Sequence, residues 1–124
     1  MTLTTSDLAV LLELAERYLA EPAPHGRVSV SLEALARWIA PQATTAHAWD
    51  GLLRLLASGV REHDSAMGWT GEWKPITEVF LVGSVVHVKL HERLTSRMDG
   101  RHPEQALDVL IAQLATQHDI EVPA

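Results

Sequence analysis

Cysteine is absent from the 124 residues, which excludes disulfides and thiolate metal sites, zinc fingers among them, and leaves the fold to be held by packing alone. No stretch approaches the roughly 18 apolar residues that span a bilayer. The amino terminus also lacks the basic-then-apolar order of a signal peptide, so no membrane partner and a cytoplasmic location are expected. The chain carries no HExxH, no GxSxG, no phosphate-cradling glycine loop and no Walker-like run. Unless a catalytic constellation assembles from separate segments, the protein is not expected to be an enzyme or to hold a metal or cofactor. Positive charge is scarce as well: ten Lys and Arg stand against sixteen Asp and Glu, a net charge of −6 that counts against a tight hold on phosphates.

What is there suits a single folded unit, since 47% hydrophobic content over this length provides for one substantial core. The charges are unevenly spread. Residues 1–24 and 102–124 are acidic, at −3 and −4, residues 62–75 stand at −2, and residues 25–61 and 76–101 are mildly basic, at +2 and +1. A domain with acidic ends and a weakly basic centre could meet DNA only through that centre.

The hydrophobic periodicity predicts a definite order of elements. Thr4 or Thr5 can cap a first helix whose Leu8, Leu11, Leu12, Ala15 and Leu19 form one stripe, and the two prolines and the glycine of residues 21–26 end it. Arg27-Val28-Ser29-Val30 alternates at period two and suits pairing with a later hairpin. Ser31 caps a second helix carrying Leu32, Leu35, Ala36 and Ile39, which Pro41 ends. Thr44 or Thr45 opens a third helix with Trp49, Leu52, Leu53, Leu56 and Val60 at core spacing, and Gly59 is its stop. Residues 62–75 read as a loop. Ile76–Val82 and Ser84–Leu90 then form a hairpin turning at Gly83-Ser84, with Val86, Val88 and Leu90 on the core face and Val85, His87, Lys89 and His91 on the other. If residues 91–98 are helical, Arg93 and Arg97 line one side, with Arg101 continuing the same four-residue spacing, a charge run that is more often a solvated face than a phosphate track. Pro103 opens a last helix bearing Leu107, Leu110, Ile111 and Leu114, which ends near His118.

This order predicts an α+β fold of the winged helix-turn-helix kind: helix, short strand, two helices and a β-hairpin wing, with an added C-terminal helix. Residues 1–124 form one domain in this reading, with a core at 27–98 and flanking helices at about 5–20 and 103–117. The third helix is the one that would enter a major groove. If its leucines point inward, Thr44, His47, Asp50, Gly51, Arg54 and Ser58 point outward. Thr44, His47 and Arg54 are then the candidate DNA-binding residues, with Arg61, Lys89 and Arg93 nearby on phosphates. With one Arg, one His and one Asp the face is sparse for a reader of bases, and a solvated surface is the plain alternative. The wing tip is short and uncharged. The first and last helices would pack together or pair two subunits, and a homodimer is the expectation.

Two further groups of residues invite attention. Trp69 and Trp73 could stack on bases of a single strand, or pack over the core edge beside the hairpin, while Trp38 and Trp49 read as core or interface. Of the seven histidines, His87 and His91 share a strand face at a spacing of four. That puts them roughly 13 Å apart on a straight strand, too far for one metal.

Residues 27–98 resemble the winged-helix domains of plasmid replication initiators, which carry two such units in tandem. The resemblance rests on Val30-Ser31-Leu32-Glu33-Ala34-Leu35-Ala36, on Leu52 through Val60, and on the hairpin Ile76 to Leu90 closing with Leu94. It implies a unit that supports dimerisation or reads repeated DNA sites, and this chain has length for one. Winged-helix transcription regulators and adaptor proteins look similar at the same level. The expectation is therefore a small DNA-binding protein acting as a transcription regulator or in DNA replication, with double-stranded DNA as its partner. The alternative is a winged-helix module for protein interaction or dimerisation.

Overall fold

A computed structural model describes residues 2–64, 68–96 and 107–123. The chain is α+β. Helix α1 (Thr5–Ala20) begins at a capping box in which Thr4 Oγ1 accepts from the Asp7 amide at 3.2 Å and an Asp7 carboxylate oxygen accepts from the Thr4 amide at 2.9 Å. Leu8, Val10, Leu11, Leu14 and Ala15 are all buried. The helix is covered on more than one side, packing against the second and third helices and against the last. That is a wider apolar face than the single stripe read from the sequence, and Leu19, expected in that stripe, is 48% exposed.

A 3-10 turn at Pro24–Gly26 leads into β1 (Arg27–Ser31). Ser31 Oγ accepts from the Ala34 amide and caps α2 (Leu32–Ile39), and Thr44 Oγ1 does the same for His47 at the head of α3 (Thr45–Ala57). The segment expected as a loop holds instead a second antiparallel pair, β2 (Val60–Asp64) with β3 (Trp69–Trp73). Its signal was weak because β2 has one apolar residue in five, so period two has nothing to act on. Gln117 fastens this pair to the last helix: its side-chain amide donates to the Arg61 carbonyl at 3.0 Å and accepts from the Arg61 amide at 3.3 Å.

The main sheet follows the expected hairpin. Strands β4 (Ile76–Val82) and β5 (Val85–Leu90) turn at Gly83-Ser84, and β1 pairs antiparallel with β5, giving the order β1-β5-β4. Val28, Val30, Val86, Val88, Leu90 and Ile76 enter the core, as alternation required. The hairpin tip is tied to the start of α2, where the Leu32 amide donates to the Ser84 carbonyl at 2.9 Å. Helix α4 is short (Glu92–Ser96), and α5 (Leu107–His118) buries Leu110, Ile111, Leu114 and Ala115. The expected start of that last helix at Pro103, and Arg97 and Arg101 of the basic side, lie outside the described residues. Helices α1 and α5 pack against each other within one chain. No helix among the described residues is long and apolar enough to cross a membrane.

Candidate functional site

Helix α3 sets the geometry of any recognition surface, and its orientation differs from the sequence expectation. The buried positions are Ala48, Gly51, Leu52 and Leu55, while Trp49, Leu53 and Leu56 are only half-buried. The buried stripe is thus turned by one residue, about 100° around the helix axis. Thr44, His47 and Asp50 stay exposed as expected, but Gly51 and Ser58 are buried and Arg54 turns toward α1.

The turn goes with an ion pair. Asp7 is 1% exposed, and Arg54 holds its carboxylate with two near-parallel bonds, Nε to Oδ2 at 2.7 Å and a terminal guanidinium nitrogen to Oδ1 at 2.9 Å. The bond to Asp7 raises the Arg54 pKa, burial opposes this, and the charges of Asp7 and Asp50 add to the rise. Gly51 makes room for the pair. A Cβ on that residue would stand 2.9 Å from Asp7 Oδ1. The expectation that Arg54 points outward is corrected: its guanidinium joins α3 to the start of α1.

The other candidates do not gather around it. Thr44 and His47 sit at the exposed head of α3, where Thr44 Oγ1 accepts from the His47 amide and His47 Nδ1 accepts from the Thr44 amide at 3.3 Å. Ten residues of helix, about 15 Å, separate Thr44 from Arg54. Arg61 lies on β2 against α5. Lys89 pairs with Arg27 at the far end of β5, five residues and roughly 17 Å from the hairpin turn. Arg93 is on α4, and its amide donates to His91 Nδ1 at 2.9 Å.

The open face of the main sheet carries an organised polar and aromatic row. His87 Nδ1 shares a hydrogen bond with Ser29 Oγ at 2.8 Å, Phe80 stacks on the His87 ring with centroids 4.8 Å apart, and the Arg27 guanidinium lies 5.6 Å from the Phe80 centroid. His91 lies beyond the end of β5 rather than on it, tilted against Trp73 with centroids 5.1 Å apart. Burial and the charge of Arg93 lower its pKa. Trp73 is therefore core, the bland option weighed for the tryptophans. Trp38 is half-buried beneath Arg17, whose guanidinium stands 4.7 Å from its ring.

The hairpin end differs in character. Leu81, Val82 and Val85 are 44%, 60% and 36% exposed, clustered around Gly83-Ser84. The sequence showed this tip as uncharged. Its apolar exposure needed the strand register. No protein-family model matches the chain, and no curated protein or solved structure shows significant similarity to it.

Proposed function

We propose that the chain is a winged-helix module that docks a protein partner rather than reading duplex DNA. The winged-helix assignment is supported by the order helix, strand, two helices and hairpin, with the first strand joining the hairpin through its second strand. The β2–β3 pair is an insertion between the third helix and the wing in that scheme. One observation carries the choice of partner. The single cation of α3, Arg54, is spent on the buried Asp7, so the exposed face of that helix presents Thr44, His47 and Asp50 without a lysine or arginine. A wing ending in Leu81, Val82 and Val85 suits an apolar protein surface better than a phosphate backbone.

A second reading, a DNA-binding transcription regulator or replication factor, is favoured by the exposure of Thr44 and His47 at the helix end that contacts bases in helix-turn-helix proteins. Fluorescence anisotropy with a labelled mixed-sequence duplex at about 50 mM and about 200 mM salt separates the two. Protein docking predicts no saturable binding at either salt concentration. Micromolar binding that collapses with salt would reverse the assignment. A homodimer would leave α1 and α5 paired within each chain, and light scattering across a concentration series reports it.

A further inference from the structure

A cleft of about 530 Å³ lies at the end of the sheet opposite the hairpin turn, between α1, the 3-10 turn, β5 and α4. Its size suits a small ligand. The polar groups around it come from five elements: Tyr18 of α1, His25 of the 3-10 turn, Thr77 of β4, Lys89 of β5, and Glu92 and Thr95 of α4, with His91 between the last two elements. The two threonine hydroxyls donate to the Lys89 and Glu92 carbonyls. Tyr18, His25, Lys89 and Glu92 have no side-chain hydrogen bond or ion pair among the described residues. His91 Nδ1 accepts from the Arg93 amide, so the neutral ring carries its proton on Nε2 and offers a donor there.

The cleft is built rather than incidental. His25 adopts a left-handed backbone at φ 63°, a strained conformation for a residue with a side chain, and Gly26 follows at φ 69°. A Cβ on Gly26 would come within 2.7 Å of the Leu90 carbonyl oxygen, so the turn is pressed onto the end of β5, and this brings His25 to the cleft. One ammonium, two imidazoles and a phenol face one carboxylate. Donors outnumber acceptors.

We propose that this cleft binds a small oxyanion, a phosphate or sulfate group free or carried on a small molecule, with Lys89 as the charged anchor and Tyr18, His25 and His91 as donors. This inference is independent of the docking assignment above. Protonation of His91 adds positive charge against Glu92, and Arg93 beside His91 adds to the field. An anion in the cleft offsets the burial and the Arg93 charge that disfavour the His91 imidazolium. Binding therefore strengthens as pH falls.

The test is an amide NMR titration of the full chain with sodium sulfate at constant ionic strength, since sulfate keeps both charges across the range from about pH 6 to about pH 8. Saturable shifts are expected at Gly26, Lys89, Leu90 and His91, with half-saturation below about 10 mM and tighter at the lower pH. Lys89→Met, which keeps the apolar stem, should weaken binding about tenfold, the loss of one charge-assisted contact, while Arg61→Ala leaves it unchanged. Inorganic phosphate should compete. Shifts that stay linear and scatter over all surface cations would overturn the proposal, as would Lys89→Met binding within twofold of the parent. Shifts at these residues with a DNA duplex but not with sulfate would also overturn it, assigning the contact to a nucleic-acid backbone.

Discussion

Arg54→Ala should be among the most damaging single substitutions in this protein, and the reason is what it leaves behind. Asp7 is 1% exposed and loses both guanidinium bonds, retaining the Thr4 amide as its donor among the described contacts. Removing one partner of a buried pair costs about 3–5 kcal/mol, a large share of the 5–15 kcal/mol that holds a small domain together. Asp7→Asn is milder. An amide oxygen can still accept from Thr4, and Arg54, at 26% side-chain exposure, can turn toward water, so about 1–3 kcal/mol is expected. The double variant Asp7→Asn/Arg54→Ala removes the stranded charge and should be more stable than Arg54→Ala alone, by about 1–2 kcal/mol.

Urea denaturation at matched slope measures all three. An Arg54→Ala cost under about 1 kcal/mol, or a double variant weaker than Arg54→Ala, would refute the stranded-charge argument.

Two further outcomes follow from the same contacts. Gly51→Ala, which in an ordinary helix interior gains up to about 1 kcal/mol, should destabilise here because its Cβ meets the Asp7 carboxylate at 2.9 Å; thermal melts that show stabilisation would contradict the packing. His91, whose pKa is lowered chiefly by burial and then by Arg93, binds fewer protons folded than unfolded. It contributes stability above its unfolded value of about 6.5 that is lost as pH falls through the lowered folded value. His91→Phe keeps a ring against Trp73 and should flatten the stability profile below about pH 6.5, and an unchanged slope would exclude the group.

The elements that the sequence made legible are those with a local cause. Ser31 caps the helix it was expected to cap, and Thr4 and Thr44, each one of two adjacent threonines that could serve, cap theirs, because a capping hydroxyl acts within three residues. The hairpin at Gly83-Ser84 and its pairing with β1 followed from period-two alternation. The β2–β3 pair was missed because Val60-Arg61-Glu62-His63-Asp64 alternates nothing, and a side chain 56 residues away, Gln117, holds its edge. The cleft at Lys89 was illegible for a similar reason. Tyr18, His25 and His91 converge only once the Pro24–Gly26 turn meets the end of β5.

The misplaced face of α3 has a more general cause. Leu52, Leu53, Leu55 and Leu56, with Ala48 and Trp49 before them, make the helix apolar over so much of its circumference that two inward stripes, one residue apart, fit the pattern almost equally well. Leucine counts could not break the tie, and the polar residues did. Burying Ala48 and Gly51 lets α1 approach closely enough for Asp7 to reach Arg54, while the other stripe would leave Asp7 buried without its cation. The consequence reaches function. A recognition helix inferred from periodicity offers Arg54 to DNA, yet the same arginine is what holds α3 against α1. Loss of nucleic-acid binding in Arg54→Ala would therefore report a disturbed fold as readily as a lost phosphate contact. The exposed His47 and the distant Lys89, which carry no comparable structural duty, are the positions at which a binding defect would speak to contact.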